Sequence, residues 1–419
     1  MHKLINITIV LAVTLVNLVP VVGQRTTSSP YSRYGIGDIT HKGFGRSRAM
    51  GHIAFGLRDA YHINYLNPAS YSSRDSMSFL FDFGASGSTT ILQSEEGKNV
   101  LSSANIDHLA LSFPVAKWIG FSAGLVPFSA MGYDIQENEV LASESVQSRY
   151  NGSGQLNQFF LGTSFKFFDQ VSIGVNASYL FGSFNQTTTK EFVDIGSKAY
   201  TSEINTNLFI RGFYYDIGVQ YFKEILDKTK LTVGFVYDPK VDLNSTSTKN
   251  KYIRYPFTAT RIDTVESVTE DLSTPFASNF GGGFTINLKE RIIFGVDYGF
   301  QNWESVAQGD SLVNASQLSA GIEFIPNPDA LKGYLNRVRY RLGGYYNNTY
   351  IKIGDDQLNE YGLTLGFGLP LRNSKSSMNI SFEAGQRGAL HNNLLKETYF
   401  IWTLNLTLFD YWFFKPKID

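Results

Sequence analysis

Val171, Ile173, Val175, Ala177, Tyr179 and Phe181 interleave with Ser172, Gly174, Asn176, Ser178 and Gly182, with Leu180 as the single break in phase. Successive side chains of a strand point to opposite faces, so this stretch has one apolar face and one small or polar face over about ten residues. The same period of two runs through Ile292, Phe294, Val296, Tyr298 and Phe300 against Gly295, Asp297 and Gly299. It returns in Met378, Ile380, Phe382 and Ala384 against Asn379, Ser381, Glu383 and Gly385. Strands of a soluble sandwich usually run about five or six residues, whereas a strand crossing a bilayer needs about nine to eleven. The length of the alternation therefore selects an all-β fold, a transmembrane antiparallel β-barrel.

About fourteen such segments follow one another, beginning near Ser76, Asn105, Trp118, Gly152, Gln170, Phe209, Lys230, Pro275, Arg291, Gln317, Asn336, Asn359, Ser377 and Thr398, and an even count suits a bacterial outer-membrane barrel. Tight breaks at Lys117, Asp169-Gln170, Asp227-Lys228, Leu288-Lys289 and Asn373-Ser374 alternate with longer polar stretches at 93–104, 136–151, 185–203, 245–273 and 309–316. Short turns on one side and long loops on the other are the expected periplasmic and outer connections. The exception, 326–336, is long enough to carry a small helix. The last segment alternates Phe400, Trp402, Leu404, Leu406 and Leu408 with Thr403, Asn405 and Thr407 before ending in FDYWFFKPKID. Such an ending suits an interfacial aromatic girdle and recognition by insertion machinery; a terminal sandwich strand is the other reading.

Residues 1–23 hold His2 and Lys3, an apolar run and a small-residue end at Val21-Val22-Gly23, the pattern of a cleaved secretory signal peptide. A retained anchor is the alternative, since the run approaches spanning length, but Asn6, Thr8, Thr14, Asn17 and Pro20 interrupt it. The expected organisation is a signal peptide at 1–23, an N-terminal hatch at 24–75 and a barrel at 76–419, located in a Gram-negative outer membrane. After residue 23 no run of about 18 apolar residues occurs, so helical spans are not expected. Charged residues are 17% and aromatics 15%, with a formal net charge of -1, which argues against disorder and against a nucleic-acid partner. The absence of cysteine excludes disulfides, thiolate metal sites and cysteine nucleophiles.

A barrel of about fourteen strands encloses a lumen wider than its own side chains fill. The stretch 24–75, with scattered glycines and the Asn67-Pro68 turn, is the segment available to plug it. GFGRSRAMGHIAFGLRDAYHINYLNPAS, residues 43–70, resembles the N-terminal hatch of the FadL family of outer-membrane transporters for fatty acids and other hydrophobic molecules. Gly43-Phe44-Gly45-Arg46, Ala49, Gly51, Ala54, Asp59-Ala60 and above all Asn67-Pro68-Ala69 carry the likeness. LALSFPVAKWIGFSAGLVPFS, GFVYDPKVDLN, FGVDYGFQNW and LSAGIEFIPNPDALKGYLNRVRYRLGGYY look like the family's strand and turn patterns. The terminal WFFKPKID looks like endings common in the Bacteroidota. The resemblance implies uptake of a hydrophobic small molecule, which enters the lumen and leaves sideways into the bilayer where the third strand is kinked beside the hatch.

Pro127 falls inside the third segment and cannot donate to a ladder, with Gly124 and Gly132 beside it free to bend; the bland reading is a proline that ends the strand early. Together with Asn67, Pro68 and Ala69, these three residues form the expected gate. Phe44, Phe55, Tyr61, Tyr65 and Leu66 could line an apolar ligand site or simply pack the plug. Asp82, Asp297, Arg339, Arg341 and Glu383 fall on the non-lipid face, where they can pair with Arg46, Arg48, Arg58 and Asp59, because buried charges demand partners; most are expected to be structural pins. No catalytic histidine spacing or nucleophile motif is present, and Gly281-Gly282-Gly283 lies in a strand rather than before a helix, so neither an enzyme nor a cofactor is expected. The expected partners are outer-membrane lipid and a hydrophobic ligand. Two further readings remain open: an accessory barrel that uses no channel and has a protein partner in a secretion or outer-membrane assembly complex, and a purely structural barrel.

Overall fold

The computed structural model describes residues 27–412 except 41–42, 96, 142–143, 193–200, 255–261, 307–310, 331, 373 and 391–393. The expected signal peptide at 1–23, His41, His391 and the last seven residues lie outside the described residues.

Fourteen antiparallel strands close into one barrel. They are β1 (Ser78–Gln93), β2 (Lys98–Ala116), β3 (Ile119–Leu141), β4 (Glu144–Phe167), β5 (Val171–Phe192) and β6 (Thr201–Leu226). Two broken strands follow, β7 (Thr229–Asp238 and Val241–Arg254) and β8 (Ile262–Phe276 and Asn279–Leu288). The ring continues through β9 (Ile292–Gln301), β10 (Ala315–Phe324), β11 (Arg339–Ile353), β12 (Asp356–Pro370), β13 (Ser377–Arg387) and β14 (Lys396–Tyr411). The ladder from Lys396↔Gln93 to Tyr411↔Ser78 joins β14 to β1 and removes the sheet edge. Proline has no N–H to give the ladder, and the break in β7 falls at Pro239-Lys240.

Alternation turns the apolar residues outward. In β5, Ile173, Val175, Tyr179 and Phe181 are exposed while Ser172, Asn176 and Ser178 are buried. Leu180, out of phase in the sequence, points inward and joins an apolar cluster with Phe128, Leu156 and Phe184.

The polar stretches expected as loops at 93–104, 136–151, 185–203 and 245–273 are largely strand. The hairpin arms simply continue, as in Glu137↔Ser148, Thr188↔Ile204 and Val268↔Lys249. An arm that stands in water on both faces has no apolar face to record, so period-two reading stops where the bilayer stops. Six neighbouring strands, β3 to β8, thereby form a tall wall at what we call the upper end, opposite the short turns of the lower end.

Residues 27–75 precede β1 and fill the bore. They contain 3-10 turns at Pro30–Arg33 and Pro68–Ser73, a two-residue strand at Asp38–Ile39 and one helical turn at Gly45–Arg48. Three apolar clusters hold them: an upper one around Tyr31, Ile36, Trp303 and Tyr350, a lower one around Phe44, Ile63, Tyr65, Tyr71 and Phe160, and a small one of Met50, Ile53 and Leu57 against Ile293.

Candidate functional site

The lower tier of the plug is built around Asn67, which is fully buried. Its Oδ1 accepts from the amide of Ala69 at 3.1 Å and its Nδ2 donates to the carbonyl of Phe55 at 2.8 Å. Pro68 then opens the 3-10 turn, where its fixed φ suits the first position. One asparagine thus caps the turn and ties it to the hatch turn twelve residues earlier.

What allows backbone to press against the wall is two rows of tiny residues. Gly120, Ser164, Gly174 and Gly218 stand opposite one another across β3 to β6, and the 68–73 turn lies over them. A Cβ on Gly174 would sit 2.5 Å from the amide of Ala69. On the far side Gly295, Gly321 and Gly343 form a second row across β9 to β11, and a Cβ on Gly343 would strike the backbone of Met50 and Gly51. Glycine is the residue that permits such approach. Sequence reading placed Gly174 and Gly295 on the small or polar face but gave the rows no role; the available signal was glycine recurring at the inward phase of successive strands.

Charges pin the tier in place. Arg46 joins Asp59 of the hatch to Glu323 of β10 at 2.9 Å, and Glu323 continues to Arg341 at 2.6 Å and Asn379 beyond. Burial favours the neutral form of Asp59, but the Arg46 guanidinium and then His62 hold its carboxyl well below the usual range. Arg48 meets Asp107 at 3.2 Å and His52 meets Glu383 at 3.2 Å. Asp107 sits at a bulge in β2 between the pairs Gly84↔His108 and Ala85↔Ile106, which turns both Asp107 and His108 inward.

Several expected pairings differ. Asp82 bonds His108, Asn405 and Thr407 of the wall rather than a hatch arginine. Arg58 meets no carboxylate among the described residues. It donates to the Ala69 carbonyl and to Gln220 and lies 4.0 Å over the Phe222 ring, and burial, then the nearby Arg74, lower its pKa to about 9. Asp297 takes no arginine either; its Oδ2 accepts the amides of Ala54 at 2.5 Å and Phe55 at 2.8 Å. Asp297→Ala leaves both amides buried without a partner, so local opening of residues 54–55 is expected to become about 1–3 kcal/mol easier. Amide hydrogen exchange should show this at Ala54 and Phe55 while barrel strands keep their protection.

The upper tier is tied differently. Asp38 pairs with Arg387 at 2.7 Å, Arg387 reaches Glu360 at 3.4 Å, and Ser29 donates to Glu397 at 2.6 Å. Tyr399 lies 2.6 Å from Glu360, and Tyr345 lies 2.6 Å from both Glu383 and Tyr399; with one hydroxyl hydrogen apiece, the two tyrosines donate two of these three contacts. This chain of contacts along β11 to β14 runs from His52 in the lower tier to Asp38 in the upper one.

Between β2 and β3 the wall parts. Their ladder begins at Ala116↔Ile119 and ends at Leu109↔Leu125, yet β2 goes on pairing with β1 and β3 with β4. At this level the β3–β4 register shifts between Pro127 and Ser129, leaving Phe128 as a bulge. β3 does not end at Pro127 but continues to Leu141. Residues 128–133 are all buried, the mark of a strand bent into the bore instead of facing lipid.

The hatch takes the freed edge. Asp38 and Ile39 pair with Ala130 and Ser129, and Thr40 donates from its amide and hydroxyl to the carbonyls of Phe128 and Pro127 at 2.9 and 2.8 Å. Ser32 Oγ accepts the amide of Gly132 at 2.9 Å, and a Cβ on Gly132 would strike the carbonyl of Thr27. Gly124 lies just below the parting, packed on Ala110 and Phe160.

A cavity of about 200 Å³ remains between the tiers. Phe55, Tyr65 and Leu66 line it, as do Asp38, His52, Asp216, Asp238, Asp297, Glu360 and Arg387. Phe44 and Tyr61 lie elsewhere: Phe44 stacks on His108 at 3.7 Å, and Tyr61 meets Phe409 edge-on at 5.5 Å. The expected aromatic site is therefore divided, and the space that exists is lined by charge as much as by rings.

The Pseudomonas putida toluene transporter TodX shares the fold with a TM-score of 0.62 at 15% identity, over 90% of this chain and 100% of that one. The CymD monoaromatic hydrocarbon channel gives 0.58 at 12% identity, over 88% and 97%. A Pseudomonas aeruginosa FadL homologue gives 0.57 at 13% identity, over 90% and 99%. At such identities the likeness is one of fold: an outer-membrane-type barrel of the FadL kind. No curated protein matches the chain in sequence. The family model that does match is BamG, over residues 1–419, and the chain belongs to the BamG family.

Proposed function

We propose that this barrel acts in the outer membrane as a closed accessory subunit of an outer-membrane assembly or secretion complex, with its bore used for rigidity and not for passage. The observation that carries this reading is the filling of the β3 edge by Asp38–Thr40 above a lower tier pinned by Arg46. The cavity between the tiers supports it as well. An apolar ligand there would have to desolvate Asp216, Asp238 and Glu360, and burying charge against hydrocarbon is strongly unfavourable. Fold alone does not carry function, so likeness to hydrocarbon channels leaves this reading free.

The parted β2–β3 wall and the Phe128 bulge favour a second reading: uptake of a hydrophobic, fatty-acid-like molecule with lateral release into outer-membrane lipid. Extraction of the tagged chain from native membranes in mild detergent separates the two. The accessory reading expects a stoichiometric membrane-protein partner and unchanged uptake of labelled oleate and toluene when the chain is deleted. A chain that purifies alone, with slowed uptake on deletion, would establish the second reading and end the first.

A further inference from the structure

We propose that the inter-tier cavity holds a divalent cation of the calcium or magnesium type at Asp216 and Asp238. The two carboxylates stand on neighbouring strands. Ile217 pairs with Tyr237, so Asp216 and Asp238 occupy the next positions on β6 and β7. Amides flank them in register, Asn176 opposite Asp216 and Asn279 opposite Asp238. The result is a row of oxygen-bearing side chains across four strands.

Among the described residues no cationic side chain forms an ion pair with either carboxylate. Asp216 accepts one bond, from Asn176 Nδ2 at 3.2 Å, and Asp238 Oδ2 accepts from Tyr214 at 2.8 Å and Asn279 at 3.0 Å. Asp238 Oδ1 and Asn279 Oδ1 are buried and have no partner. The same cavity wall carries two more such acceptors on side chains almost wholly buried, Gln158 Oε1 on a residue 1% exposed and Asp297 Oδ1 on one 4% exposed. Unpaired buried acceptors and adjacent like charges are both unfavourable. A hard cation removes both penalties, since such ions take carboxylate, amide carbonyl and water oxygens together. No group of three or more His, Asp or Glu placed to hold a metal occurs among the described residues, so the ion rests on two carboxylates, the Asn279 amide oxygen and water. Across the cavity Arg387 already serves Asp38 and Glu360, which leaves the Asp216–Asp238 side as the one that attracts a cation. The inference is independent of whether the barrel conducts.

The test uses the full-length barrel in detergent, stripped with EDTA and dialysed, then titrated calorimetrically with calcium and magnesium chloride and followed by thermal unfolding. The wild type should show one saturable site and a higher Tm with the ion. Asp216→Asn with Asp238→Asn should weaken binding at least tenfold and lose the Tm response, while Glu360→Gln on the opposite wall keeps both. Should the double variant fail to fold, as judged by loss of heat-modifiable migration, Asn279→Leu keeps the carboxylates, removes one ligand and should weaken binding severalfold. No saturable site in the wild type, or equal binding in the Asp216/Asp238 variant, overturns the proposal; a stability that responds to pH but not to either cation would show a shared proton in place of the ion.

Discussion

Replacing Arg46 by methionine is expected to release the lower plug from the barrel. Arg46 is 6% exposed and lies between two carboxylates, Asp59 of the hatch and Glu323 of β10. Methionine keeps much of the volume and none of the charge, leaving Asp59 with His62 and the Tyr61 amide, and Glu323 with Arg341. Breaking a buried pair by removing one partner costs about 3–5 kcal/mol, because the remaining charge stays out of water. The hatch bears that loss, since the barrel keeps every ladder. Limited trypsin digestion should therefore cut within residues 43–75, at Arg48 or Arg58, in the variant and not in the wild type. Arg149→Met is the comparison: Arg149 pairs with Asp134 at 2.7 Å on an exposed arm, and such pairs contribute about 0–1 kcal/mol. If both variants resist trypsin equally, Arg46 is not the pin.

Gly174→Val should displace the Asn67-Pro68 turn without weakening the strand that bears it. Valine suits a strand better than glycine does, so β5 itself gains. The added side chain, however, enters space held by the backbone of Pro68 and Ala69. Forcing extra carbons into a packed site costs about 1–3 kcal/mol, and the atoms met here are main chain, which cannot turn aside as a rotamer can. Gly343→Val should do the same to Met50 and Gly51 from the opposite wall. Gly299→Val gives the contrast, because no atom lies within 4 Å of the position its Cβ would take. Disulfide trapping reports the outcome: Ser72 and Ser172 meet at 2.7 Å, so cysteines at these two positions should crosslink in the otherwise wild-type barrel and in Gly299→Val, and lose that crosslink in Gly174→Val. Retained crosslinking in Gly174→Val would mean that the glycine row is not what seats the turn.

The strands that cross the bilayer were readable because lipid imposes a face. Ile173, Val175 and Phe181 look outward from β5, and the phase of their neighbours follows. Leu180 broke that phase because an apolar cluster inside the bore, not lipid, lies against it. The upper arms were unreadable for the reverse reason: Thr248 and Thr269 meet in water, where neither face is selected. Within the plug, Asn67-Pro68-Ala69 was legible as a turn because proline and asparagine act through their own backbone. The partners of its charges were not. Glu323, Asp107 and Gln220 meet hatch residues only after fourteen strands have set their register, and a bulge such as the one at Asp107 reverses facing without any mark in composition. Pro127 announced a disturbance in β3; that the freed edge would be taken by Asp38–Thr40 depended on a contact about ninety residues away in the chain.

The account rests on a bore that is shut at two levels by residues 27–75. Single-channel recording of the full barrel in a planar bilayer examines this directly. Wild type should show no steady conductance, and Arg46→Met combined with Arg387→Met, which removes a pin from each tier, should open to steps of a porin-like barrel. Steady conductance in the wild type, equal to that of the variant, would contradict the closed plug and the accessory role built on it.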